Sequence, residues 1–206
     1  GGAVFGVTVS YVGAFLFSFL PLKSFFSHER KKFMRRDIAL YTIPVLIALF
    51  LLTTLYSFDV FLVKHFLSEA DAGFYSAASL IGKIVFFATL SISTVMFPKV
   101  SEFYEKKKFS DVRRVLNISL ILTVILSLGI VGFYLLFPHF VVVVLFGKKF
   151  LSITNILWVF ALVYGMFSLI YSLCMYNLSI KRYTFIYFIA LMNIVEVILI
   201  WLYHAT

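Results

Sequence analysis

Charge is scarce in this chain. Asp, Glu, Lys and Arg supply 13% of its 206 residues, against about 25% in an average globular domain, and the nine acids are outnumbered by eighteen bases. Cysteine is almost missing: Cys174 stands alone, which excludes an intrachain disulfide framework, and its apolar surroundings make it a small buried packing residue. The four histidines, His28, His65, His139 and His204, fall in loops or at the ends of apolar runs without metal-site spacing. A Gly-rich phosphate loop, a Ser-His-Asp order and a nucleophile elbow are all lacking. The reading is therefore no enzyme, no resident cofactor and no metal. The opening stretch has neither a basic leader nor a cleavage site, which argues against a signal peptide. It starts at Gly1 within an apolar stretch, and the chain is expected to be a fragment of a longer protein.

What is abundant is apolar surface, 63% of residues. A soluble core of this length cannot hide that excess, so much of it must face lipid. Six apolar runs, 1–22, 38–63, 74–98, 115–137, 151–176 and 184–204, each approach the ~20 residues that cross a bilayer as a helix. Unpaired backbone is not tolerated in hydrocarbon, and runs this long lack the short alternation of barrel strands. The expected fold is all-α and polytopic, with about six transmembrane helices. Pro21, Pro98 and Pro138 fall at run ends, and Pro44 in the first two turns of the second run. Tyr41, Phe74, Tyr75, Trp158, Tyr183 and Tyr203 lie where interface anchors belong. Segment 138–150 is too short to span and too apolar for a solvated loop; it reads as a short helix or re-entrant piece ended by Gly147, with Lys148 and Lys149 among headgroups.

The basic residues sort by loop. The connections 23–37, 99–114 and 177–183 hold most of them, from Lys23 to Arg36, Lys99 to Arg114, and Lys181 with Arg182. This alternation argues against nucleic acid as a partner. By the positive-inside rule these three loops are cytoplasmic. Bias of that kind alone predicts such clusters, although anionic headgroups are a further ligand open to them.

Three charges sit at membrane depth: Asp59, Lys83 and Glu196. Each costs about 2.5 to 3.5 kcal/mol there, so each is expected to have a partner or a wet cavity. With a turn at Ser68–Gly73, Asp59 lies about 12 Å and Lys83 about 15 Å below it at 1.5 Å per residue. An ion pair, or two charges lining one cavity, is open to them. Lys64 is nearer the interface. Glu196 and Asn193 share one side of the last helix, where their oxygens are candidates for sodium or proton coupling. The bland alternatives are a carboxylate held by Tyr or Ser hydroxyls, a snorkelling amine and an interhelical hydrogen bond.

The stretch Asp59-Val-Phe-Leu-Val-Lys64 through Gly73-Phe-Tyr75-Ser-Ala-Ala, then Val95-Met-Phe-Pro98-Lys-Val-Ser101 and Leu145-Phe-Gly147-Lys-Lys-Phe150, resembles the polysaccharide-biosynthesis (lipid-linked oligosaccharide) flippase family of the multidrug/oligosaccharidyl-lipid/polysaccharide exporter superfamily. The resemblance implies two helical bundles around a central cavity. Residues 1–22 would be the last helix of the N-terminal bundle, 23–37 a cytoplasmic linker, and 38–206 the first five helices of the C-terminal bundle, the remainder of the polypeptide being a partner. It implies a plasma-membrane transporter that flips a polyprenyl-diphosphate-linked oligosaccharide from the inner to the outer leaflet. Lys83 and Lys64 would meet the anionic substrate, Asp59 would be the charge partner of Lys83, and Glu196 with Asn193 would couple an ion. A multidrug cation antiporter of the same superfamily is the close rival; a membrane-embedded transferase is further off.

Overall fold

The computed structural model describes residues 2–18 and 35–203, and every regular element among them is helical. The chain divides into two compact units after Ala39. The first contains α1 (Gly2–Ser18), which leaves Phe5, Val9, Tyr11 and Phe17 mostly exposed around its circumference. A helix apolar on all sides belongs in lipid or against other helices. The rest of the expected 1–22 span, and the basic linker as far as Met34, lie outside the described residues.

The second unit contains α2 (Arg35–Phe66, beginning just ahead of it), α3 (Glu69–Glu105), α4 (Phe109–Leu136), α5 (Pro138–Phe146), a 3₁₀ helix (Lys148–Ile153), α6 (Leu157–Ser179) and α7 (Phe185–Tyr203). Five of these, α2, α3, α4, α6 and α7, are long and apolar enough to cross a membrane. With the shorter α1 they make the all-α, multi-pass membrane protein that the run lengths predict.

Several boundaries differ from the sequence reading, each for a local reason. The expected turn at Ser68–Gly73 shrinks to Leu67 and Ser68, because Ser68 caps α3: its hydroxyl accepts from the Asp71 amide at 3.2 Å and donates to Asp71 Oδ2 at 2.6 Å. Pro98 does not end α3, and neither Pro98 nor Pro44 stops its helix. α3 therefore runs 37 residues, about 55 Å at 1.5 Å per residue, well beyond ~30 Å of hydrocarbon. The expected 99–114 linker is mostly helix, with Lys106–Lys108 as the turn and Lys107 in the left-handed region at φ 58°. At the other end of the bundle, α5 has Pro138 at its start and stops at Gly147, whose φ of 85° suits glycine. The fifth span then begins at Leu157 rather than 151, since Lys148–Ile153 winds as 3₁₀ helix.

α3, α4 and α6 form the core. Their mutual approach rests on small residues. A Cβ on Gly82 would come within 2.6 Å of the Tyr164 ring, and one on Gly165 within 3.2 Å of Ser127 Cβ. Three buried hydroxyl pairs join α3 to α6: Ser79 with Tyr164 at 2.7 Å, Thr89 with Ser168 at 2.8 Å and Ser93 with Ser172 at 2.7 Å. The pairs advance together along both helices, so α3 and α6 run parallel. Tyr134 of α4 donates to the Ile81 carbonyl at 3.1 Å. α2 and α7 lean on this core through Leu52, Phe86, Phe167, Cys174 and Ile189, with the Tyr56, Phe86 and Phe167 rings 5.1 to 5.7 Å apart.

Candidate functional site

Near the end of the bundle where α2 turns into α3, four helices enclose a cavity of about 530 Å³. α2 contributes Leu55 and Asp59, α3 Tyr75, α6 Phe160, Tyr164 and Phe167 among others, and α7 Glu196 and Ile200. The positions follow from helix register. Leu55 and Asp59 are four residues apart, as are Phe160 and Tyr164, and Glu196 and Ile200, so each pair stacks on one face. Most of the wall is apolar, and its polar atoms belong to two carboxylates and two tyrosines.

Asp59 is half anchored. Tyr75 donates its hydroxyl to Asp59 Oδ2 at 3.0 Å, whereas Oδ1 is buried and accepts no hydrogen bond. Glu196 Oε2 is in the same condition. Leaving a buried acceptor unsatisfied costs about 1 to 3 kcal/mol, and two such acceptors belong to residues of one cavity. An apolar groove of about 580 Å³ between α2, α6 and α7 shares Leu55, Ile170, Glu196 and Ile200 with the cavity. Glu196 thus stands in the wall between the two spaces.

Lys83 is elsewhere. It is 8% exposed and does not line the cavity. Among the described residues it makes no ion pair with Asp59; its Nζ lies 4.4 Å from the centre of the Tyr56 ring and 5.7 Å from that of Tyr164. Neither arrangement open to Asp59 and Lys83, an ion pair or two charges lining one cavity, is seen; the ammonium makes a cation–π contact instead. Lys64 is exposed in the last turn of α2, away from the cavity. Asn193 faces α2: its Nδ2 donates to the Leu51 carbonyl at 3.2 Å and to Ile189 at 2.9 Å, and its Oδ1 is buried without a partner. Asn193 and Glu196 share a side of α7 but only Glu196 reaches the cavity. No group of three or more His, Cys, Asp and Glu among the described residues is placed to hold a metal.

Three tyrosines central to this geometry escape the sequence reading as site residues. Tyr56 carries a usable signal, since it precedes Asp59 by three residues and shares its face. Tyr75 is visible only as an interface aromatic. Tyr164 comes from a distant helix, and nothing local marks it.

The sequence model of the polysaccharide biosynthesis protein family matches residues 4–155. The chain belongs to this family. No curated protein and no solved structure matches it. Within the polysaccharide biosynthesis protein match lie Asp59, Tyr75 and Lys83; Tyr164 and Glu196 lie beyond its end. The match thus covers the α2–α3 side of the cavity and ends before the α6–α7 side.

Proposed function

We propose that this membrane protein of polysaccharide biosynthesis is part of a transporter that flips a polyprenyl-diphosphate-linked oligosaccharide from the inner to the outer leaflet of the cell membrane, and that a small cation, sodium or proton, drives the cycle by binding at Asp59 and Glu196. The observation that carries the coupling role is the pair of buried, unsatisfied carboxylate oxygens, Asp59 Oδ1 and Glu196 Oε2, on one cavity. Support for the cargo comes from family membership. Orientation by the positive-inside rule puts the Lys106–Lys108 turn in the cytoplasm and the cavity in the outer half of the bilayer. No covalent step is required of the chain; it acts by alternating access, not as an enzyme. Lys83 rests on the Tyr56 and Tyr164 rings rather than in the cavity wall.

The test is Asp59→Asn and Glu196→Gln in the full-length protein, read as surface polysaccharide in cells depending on it. Each is expected to cut export at least tenfold with the protein still in the membrane. Full export by both variants removes the cavity from the mechanism.

One observation favours a second reading. A wall with two carboxylates, tyrosine rings and no lysine suits a lipophilic cation, as in a drug antiporter. Under that reading the same variants would sensitise cells to cationic dyes and leave polysaccharide unchanged.

A further inference from the structure

Three ionisable groups around the cavity are under-partnered at the same time. Asp59 Oδ1 and Glu196 Oε2 accept nothing. Lys83, buried on α3, forms neither a hydrogen bond nor an ion pair among the described residues, and rests on Tyr56 and Tyr164. An ammonium and a carboxylate make a stronger contact than an ammonium and a ring once water is excluded. Their separation is therefore a state of the site that another geometry can replace.

The replacement needs little movement. Tyr56 and Asp59 are three residues apart on α2, so the residue whose ring holds Lys83 and the residue that bears the carboxylate are neighbours on one helix face, with Cβ atoms about 5 to 6 Å apart. A lysine stem has four methylenes and rotates freely at each. The two rings do not follow it: Tyr164 is tied to Ser79 at 2.7 Å, and Tyr56 is wedged against Phe86 and Phe167. Tyr75 already occupies Asp59 Oδ2, which leaves Oδ1 as the single contested atom. The titratable groups about it are Tyr56 on α2, Tyr75 and Lys83 on α3, Tyr164 on α6 and Glu196 on α7.

We infer that Lys83 is a tethered counter-cation: it pairs with Asp59 Oδ1 when the cavity holds no ion, and retreats to the Tyr56 ring when a diffusible monovalent cation takes its place. This rests on the coupling role of Asp59 and Glu196 proposed above and adds to it a built-in competitor. With both carboxylates ionised, one ammonium and one monovalent cation make the occupied site neutral, and net charge inside the bilayer is expensive. The exchange breaks one ion pair and forms another, with no covalent change. Its use is to keep Asp59 from remaining a bare carboxylate between turnovers.

A competitor lowers apparent affinity by the fraction of time it leaves the site free. If Lys83 holds Asp59 nine-tenths of the time in the empty state, its removal tightens cation binding about tenfold. Removing its parking place has the opposite effect. The experiment is equilibrium binding of radioactive sodium to the purified full-length protein in nanodiscs, for wild type, Lys83→Gln, Tyr56→Leu and Asp59→Asn. The infrared band of protonated carboxylic acid is followed against pH in the same samples, to separate sodium from proton as the ion. Expected are loss of binding in Asp59→Asn, about tenfold tighter binding in Lys83→Gln and several-fold weaker binding in Tyr56→Leu. Opposite signs from two substitutions at residues in contact are not produced by loosening of the fold, which weakens both. If Asp59→Asn abolishes binding while Lys83→Gln and Tyr56→Leu leave affinity unchanged or shift it the same way, the competitor is overturned and the coupling site stands. If wild type binds neither ion at Asp59, both fall together.

Discussion

α3, α4 and α6 meet backbone to backbone across glycine, serine and threonine, whereas α2 and α7 touch them through ring edges and long side chains. In the central windows of α3 and α6, 44% of residues are buried inside the structure, against 11% for α2 and α7. The charges follow the same division. Lys83 stands on the tightly held part, while Asp59 and Glu196 stand on the loosely held helices. A site made this way has its ammonium on the closely packed core and its two carboxylates on the less buried helices.

That contrast can be broken most forcefully at Gly82. Leucine there must displace Tyr164 and the Phe160 backbone, and overpacking in so close a contact costs about 3 kcal/mol or more. Gly82→Leu is expected to lose the monodisperse folded peak in detergent; a variant with wild-type melting behaviour would show that the three-helix core is as loose as its flanks. A smaller effect is expected from the hydroxyl ladder. Ser93→Ala and Ser172→Ala, combined in a double-mutant cycle, should show a coupling of about 0.6 kcal/mol, the average for such bonds between membrane helices, measured by unfolding in mixed micelles. Zero coupling would leave shape alone to hold α3 against α6. The smallest effect belongs to the flank. Asn193→Leu removes the bond to the Leu51 carbonyl, and a loss of about 0.5 to 1 kcal/mol is expected, with α7 cleaved sooner than α3 in limited proteolysis. Equal protection of both helices would remove the distinction between core and flank.

Much of this architecture can be read without coordinates. Span number follows from run length, because hydrocarbon imposes a minimum on any helix that crosses it. The placing of Asp59, Lys83 and Glu196 within long apolar helices follows likewise, and so does the stop at Gly147. Helix ends are harder. Ser68 and Asp71 form a capping pair that lengthens α3 at its start, and Pro98 is absorbed at its other end, where composition suggests a break. The partner of Lys83 was out of reach for a different reason. Charge pairing is the economical guess from sequence, but which group arrives depends on how α2 leans on α3, and the lean brings a ring. The spacing of Ser119, Thr123 and Ser127, four residues apart and all buried, was a legible sign of the inward face of α4, masked by apolar residues all round that helix.

Asn193 gives the loosely held pair a property of its own. By donating to the Leu51 carbonyl from α7, it ties the two outlying helices to each other by a hydrogen bond. The tie sits three residues from Glu196 on α7 and eight from Asp59 on α2, so a change at either end of it bears on both acidic groups.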